Sequence, residues 1–319
     1  MRTSAPTRGA LPDLVFVNPS AGGGRAAETL PALRAYAVRS SWQVEFRLTA
    51  SAADLTSQAR AAAESGYLRL FVLGGDGSFQ DLVNATANYS GVVLGILPAG
   101  GGNDLADALG LPHHPLRAAQ LLRDGQVFRM DAVCAETADG QQRIYTSGGG
   151  VGIDAESALI ASTRFRNLSG RFRYLLSAAI ALIETRRVAV RLEWSTNGKP
   201  DSALEIEALL VAVLNTPSYG SGLRFAPAAK INDGLLDLVI VEALSVFALL
   251  RALPLLVFFG EVHSPRIKRL QVHRVKIDAT ISRRFHGDGE ILGDTPVKIN
   301  VLPGAIRILC PKDSALSIQ

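Results

Sequence analysis

Along the first third of the chain, short apolar runs alternate with longer segments whose apolar residues recur every three or four positions: "DLVFV" then "RAAETLPALRAYAV", "LRLFVLG" then "SFQDLVNATAN", "VVLGIL" then "NDLADALGL". A short apolar run bounded by turn residues is the pattern of a buried strand, and the 3.6-residue repeat is that of an amphipathic helix. Their alternation predicts βαβ units, a parallel sheet and a three-layer α/β/α domain over residues 1–128. From about Arg129 the rhythm changes. "RMDAVCAE", "QQRIYTSGGG", "VAVRLEW", "EIEALLVAVLN", "LLDLVIVEAL", "RVKIDATI" and "VKINVLPGAIRILC" are strand-like, several with strict alternation, and Gly or Asn/Asp turns join them. They predict a mainly antiparallel β-sandwich domain over 129–319, its last residues packing back on the first domain. One helix is expected within it, at 169–187, with Ser169 as N-cap and arginines at its end.

Each apolar run of the first domain ends in a glycine loop: "NPSAGGGR" at 18–25, "GGDGS" at 74–78 and "PAGGGND" at 98–104. In a right-handed parallel sheet all three fall at the carboxyl edge, where open α/β sheets bind ligands. None has the GxGxxG spacing of a dinucleotide fingerprint, and none has the lysine of a GxxxxGK[ST] phosphate loop. The remaining reading is an anion site made from glycine backbone amides at helix N-termini. A single loop of this kind is as often an ordinary tight turn; three on one edge are not.

Composition narrows the setting. The 319 residues are 48% hydrophobic and 19% charged, and the net charge of +4 suits a nucleotide, an anionic lipid surface or a nucleic acid and selects none of them. A nucleic-acid partner is not expected. Cys134 and Cys310 match no metal or disulfide spacing, which with the absence of an apolar leader predicts a cytoplasmic protein. The five histidines form no catalytic spacing, and His113 and His114 are placed in a proline-bounded loop. Trp42 and Trp194 are expected in the core. The longest apolar stretch, 243–260, contains Arg251 and Pro254, so a buried or interfacial helix pair is expected there rather than a membrane span. Basic residues gather at 164–173 and 265–276.

The ordered set "NPSAGGG", "GGDGSFQDLVNA", "LPAGGGND", "GGGVGIDAE", "SGRFRYLLSA", "GSGLRFAPAAKINDGLLDLVIV" and "FHGDGEIL" resembles the diacylglycerol kinase catalytic-domain family, and the resemblance covers nearly the whole chain. It implies an N-terminal nucleotide domain, a C-terminal β-rich lipid domain, and a cleft where ATP phosphorylates a lipid hydroxyl. The acceptor would be diacylglycerol-like, phosphatidylglycerol-like or a sphingoid alcohol. By the family's pattern, Asn18, Pro19, Ser20, Ala21, Gly22, Thr49, Gly74, Gly75, Asp76, Gly77, Ser78, Phe79, Gln80, Asp81, Gly100, Gly101, Asn103 and Asp104 would line the nucleotide. Ser78 stands for the usual threonine, Asp81 for the usual glutamate, and Gly101 where the family has a threonine hydroxyl.

The same resemblance implies Mg²⁺ held by the Asp233 carboxylate and the backbone oxygens of Lys230 and Leu235; oxygen ligands suit a hard cation. In "GDGE" it makes Glu290 the proton acceptor with Asp288 beside it, while Asp76 acts near the phosphates. Phosphoryl transfer asks for these parts: positioned phosphates, a cation, and a carboxylate for the acceptor's proton. A lipid kinase would meet its substrate as a peripheral protein on an anionic membrane surface. A homodimer is left open. Two other readings stand beside the kinase: a nucleotide-binding sensor or scaffold of the same fold that has lost catalysis, and an enzyme like the NAD kinases, which share a "GGDG" loop.

Overall fold

The computed structural model describes residues 11–153, 155, 187–196, 201–220, 222–242 and 264–314. Four parallel strands come first: β1 (Asp13–Val17), β2 (Val44–Leu48), β3 (Arg69–Gly74) and β4 (Val93–Pro98), in the spatial order β2–β1–β3–β4. Val15 of β1 pairs with Phe46 on one side and Phe71 on the other. Leu14 to Val17 and Leu70 to Leu73 are fully buried, which is why β1 and β3 read as unbroken apolar runs rather than alternating ones. Helices α1 (Arg25–Arg39), α2 (Ala52–Glu64) and α3 (Asp76–Thr86) make the crossovers. The chain leaves β1 to reach β2 on one side, then returns past β1 to β3 and β4. Strands β1 and β3 therefore flank a switch point, and a crevice opens between their carboxyl ends.

Helix α2 packs against α3, and α1 against α5 (Pro115–Arg123), giving a helical layer on each face of the sheet. Helix α5, which no motif announces, begins directly after the proline-bounded loop of His113 and His114. Pro115 opens it, a position where the missing N–H costs nothing. The segment "NDLADALGL" forms only the short α4 (Asp104–Ala108).

Within the second half the described strands pair antiparallel with one another. It comprises β5 (Gln126–Glu136), β6 (Gln142–Tyr145), β7 (Gly148–Gly152), β8 (Val188–Ser195), β9 (Ser202–Leu214), β10 (Leu236–Glu242), β11 (Ile267–Val272), β12 (Arg274–Ala279), β13 (Arg284–Gly287), β14 (Glu290–Asp294) and β15 (Val297–Cys310). Strands β9 and β10 feed two cores: Val211, Val213, Leu238 and Ile240 face one, and Leu210, Ala212, Val239 and Val241 the other. Burial on both faces explains the uninterrupted "LLVAVL" and "LVIV".

The two halves share one hydrogen-bonded ladder. The first part of β15 pairs with β12 and β5; its second part stays on β5 and reaches β4, where Ile308 pairs in parallel with Leu94. Met130, Ile306, Ile308 and Cys310 accordingly belong to the core of the parallel half. Strand β11 and the start of β12 occupy the basic run 265–276, whose charges are largely partnered: Lys268 with Glu242, Arg274 with Asp201, Lys276 with Asp278. The helix expected at 169–187, the arginines at 164–173 and the apolar stretch 243–260 lie outside the described residues. Among the described residues no helix is long and apolar enough to cross a membrane.

Candidate active site

The three glycine loops meet at the carboxyl edge of the sheet, and they touch one another. Gly22 has a φ of 62°, and a Cβ there would stand 2.0 Å from the Ala99 carbonyl oxygen of the third loop. A Cβ on Gly75 would stand 3.0 Å from the Cα of Gly100. Part of the bareness thus serves loop against loop, not only a ligand. Polar side chains complete the lattice. Asn18 donates to the Ser78 hydroxyl at 3.0 Å and accepts from the Ser20 hydroxyl at 2.9 Å. Asn103, in the left-handed region at a φ of 63°, accepts from the Gly100 N–H at 2.9 Å and donates to its carbonyl at 3.0 Å. Arg25, which the motifs do not single out, donates to the same carbonyl at 3.3 Å and brings a cation to this edge. Its signal in the sequence is the basic residue that ends "AGGGR".

Asp76 is the first residue of α3 and a strut between two loops. Its carboxylate accepts from the Asp104 N–H at 3.2 Å and the Leu105 N–H at 3.3 Å, which caps α4. Asp104 in turn accepts from the Gly222 N–H at 2.8 Å, tying the edge to the β-rich half.

From that half the β13–β14 hairpin reaches over the same edge. Asp288, at a φ of 51°, sits inside a cage: its carboxylate accepts from the N–H and hydroxyl of Thr146 at 2.7 and 2.9 Å, and from the N–H groups of Ser147 and Gly148 at 2.8 and 3.2 Å. With its oxygens so occupied, Asp288 is a staple for the hairpin. Glu290 differs. Its carboxylate takes no hydrogen bond from a described residue, and its Oε1 lies 3.2 Å from where a Cβ on Gly77 would be. The carboxylate of one half therefore stands over the first turn of α3 in the other.

Carboxylates crowd this cleft. Burial first, and then the charges of Asp104 and Asp288, push Asp76 up to about 7. Burial and Glu290 push Asp81 up to about 6, against a smaller pull from Arg143. Burial also raises Glu290, and Arg143 pulls it back. So much unneutralised negative charge beside a helix N-terminus suits a site that works with cations and bound phosphates together.

Other expected site residues turn away. Phe79 is fully buried in the core of the parallel half, so its side chain does not line the cleft; Gln80 is nearly buried, and its Nε2 finds no hydrogen-bond partner among the described residues. Thr49 is buried, and its hydroxyl donates to the Val17 carbonyl at 3.1 Å, closing the end of β1. The "KINDGLLD" turn lies apart from the cleft residues in its contacts. Asp233 accepts from the Leu235 N–H at 3.0 Å, and its neighbour Gly234 donates to Asp131. The charge of Asp233 adds to burial in raising both Asp131 and Asp237, the latter to about 6. Excess negative charge of this kind fits a hard cation. Among the described residues no group of three or more His, Cys, Asp or Glu side chains is arranged to hold one, so an ion at this turn would depend on the backbone oxygens of Lys230 and Leu235.

Comparison with known proteins agrees with this geometry. Residues 12–135 match the diacylglycerol kinase catalytic domain, and residues 149–310 match the YegS C-terminal NAD kinase beta sandwich-like domain. The chain is similar to a diacylglycerol kinase of Mycobacterium tuberculosis, 30% identical over 307 residues and covering 93% of this chain and 94% of the relative. A diacylglycerol kinase of Bacillus subtilis is 26% identical over 303 residues, covering 94% and 97%. The crystal structure of a candidate diacylglycerol kinase from Bacillus anthracis superposes with a TM-score of 0.76 at 25% identity, covering 96% of this chain and 99% of that one. With both halves matched, and with a carboxylate-bearing hairpin facing a glycine-built helix N-terminus, the chain belongs to the diacylglycerol kinase catalytic-domain family and is a lipid kinase.

Proposed function

We propose that the chain transfers the γ-phosphoryl group of ATP to the hydroxyl of a diacylglycerol-like membrane lipid. The observation that carries this reading is Glu290 over Gly77: a carboxylate without a hydrogen-bond donor of its own among the described residues, facing the turn where a helix N-terminus favours phosphate. Glycine loops 18–24, 74–78 and 98–103 would receive the nucleotide on backbone amides, with Arg25 offsetting its charge. Glu290, its pKa raised by burial, would accept the hydroxyl proton as the acceptor oxygen approaches phosphorus. Asp288 and Asp76 would act by holding the hairpin and the loops in place, since both spend their oxygens on backbone N–H groups. Mg²⁺ supplies charge neutralisation to phosphates when bound. At "KINDGLLD" Asp233, Lys230 and Leu235 would hold such an ion in a supporting role.

The acceptor's chains cannot leave a bilayer without exposing apolar surface at about 0.8 kcal/mol per CH₂, so the kinase would work at the membrane face as a peripheral protein. The pairing of the 265–276 charges leaves that run a smaller part in attracting anionic lipid than its composition suggests. The test is direct: purified protein, ATP labelled at the γ-phosphate, and diacylglycerol in mixed micelles, with phosphatidylglycerol and sphingosine as parallel acceptors. Label in phosphatidic acid that depends on added Mg²⁺ supports the reading. Label appearing only in another acceptor, or only in NADP from added NAD, refutes the substrate assignment.

A further inference from the structure

Helix α3 carries three residues on one stripe that all address the β-rich half: Gly77, Asp81 and Asn84, spaced four and three apart. Gly77 lies under Glu290 and Asp81 lies in its field. Asn84 does something different. Its amide group donates to the Ile144 carbonyl at 2.7 Å and accepts from the Ile144 N–H at 2.9 Å, and it also donates to the Gln80 carbonyl of its own helix at 2.8 Å. Strand β6 pairs with β5 on one side only among the described residues, so Ile144 presents an N–H and a C=O that need partners. A primary amide reproduces the donor and acceptor of a peptide, and Asn84 continues the ladder as a neighbouring strand would. The third bond locks the side chain to α3, so the clamp joins a helix to a strand without slack.

The clamp matters because of its neighbours in the chain. Two residues beyond Ile144 begin Thr146, Ser147 and Gly148, the groups that cage Asp288. Asp288 also donates its own N–H to the Gly148 carbonyl at 2.8 Å, and Glu290 lies two residues further on. A continuous path of short, directional bonds thus runs from the last turn of α3 through β6 and the hairpin, and returns above the first turn of the same helix.

We propose that Asn84 is a positioning residue for Glu290, setting where that carboxylate stands above the N-terminal turn of α3; the proposal rests on the reading of Glu290 as the proton acceptor. Because transfer is sensitive to placement on the scale of an ångström, loosening the clamp acts on turnover rather than on nucleotide affinity.

The test is a double-mutant cycle on the full chain with labelled ATP and diacylglycerol micelles, comparing Asn84→Ala, Glu290→Gln and the double variant. The expected result is a loss in kcat of about tenfold or more for Asn84→Ala, with the KM for ATP within about twofold, and a further loss of less than about twofold once Glu290→Gln is present. Should Asn84→Ala not fold, Asn84→Ser removes the paired bonds to Ile144 without adding a charge and is expected to show the same non-additivity. Unchanged kcat in Asn84→Ala, or an undiminished loss in the Glu290→Gln background, overturns the proposal, the second because Asn84 would then act without Glu290. Wild-type turnover in Glu290→Gln alone removes the proton-acceptor reading and the proposal with it, which separates the two failures.

Discussion

At the glycine edge, position is set by backbone meeting backbone: Gly22 against the Ala99 carbonyl, Gly75 against Gly100. In the hairpin opposite, position is set by one carboxylate, Asp288, which gathers four donors from Thr146, Ser147 and Gly148. The two faces of one cleft thus fail in different ways. The edge has no room for a Cβ at Gly22, whereas the hairpin depends on one carboxylate, and at its tip a Cβ on Gly289 would meet nothing within 4 Å, leaving only the strain of a φ of 87°. The contrast also sorts the two carboxylates of "GDGE", which look equivalent as letters. Asp288 belongs to the architecture, and Glu290 is left for chemistry.

The sharpest break of the comparison is Asp288→Ala. It strands three backbone N–H groups and a hydroxyl in a partly buried cage, and should cost about 3 kcal/mol or more in denaturant unfolding, with activity lost. Gly22→Ala comes next. The left-handed φ and the collision with Ala99 together predict about 3 kcal/mol and loss of ATP binding by titration calorimetry. Gly24→Ala is the control, since a Cβ there meets nothing within 4 Å although its φ is 100°; only strain remains, at about 1 kcal/mol.

A smaller effect should appear in the pH dependence of stability. Asp81 has its folded pKa raised from 3.8 to about 6, so the native state holds a proton that the unfolded state has released, and stability falls as pH rises through that window. Asp81→Asn removes this contribution. Near pH 8 the variant should be more stable by about 1 kcal/mol after solvent screening of a half-buried group, and near pH 4 the two proteins should converge. A difference that persists at low pH would mean that packing rather than charge is responsible.

The parallel half was largely legible in the sequence. Doubly buried strands leave unbroken apolar runs, α1 and α3 leave their periodicity, and three loops announce themselves by glycine, while β2 and α2, joined by a loop without glycine, are not among the units the pattern predicts. What could not be read was anything that depends on distant partners. Strand β15 looks like any alternating strand, and nothing local says that Ile308 pairs with Leu94 and joins the two halves. Strand β11 was hidden because its lysines and arginines look like a solvated charge run until Glu242 is seen paired with Lys268. Phe79 falls inside the matching motif, yet helical geometry turns it to the core. The division of labour between Asp288 and Glu290 is set by residues some 140 positions away in sequence, beyond any local pattern. Asn84 was in plain view within "GGDGSFQDLVNA", but its partner Ile144 lies 60 residues on.

The central claim is that a carboxylate of the β-rich half completes a site whose phosphate-binding part belongs to the parallel half. Glu290→Gln tests it most directly, because the change keeps shape, removes basicity and touches no hydrogen bond among the described residues. Turnover on diacylglycerol and ATP affinity should be measured on the same preparation. The account predicts a fall in kcat of roughly 10²-fold or more, with the melting temperature and the Kd for ATP close to those of the unaltered protein. Wild-type turnover, or loss of ATP binding in step with activity, would contradict it.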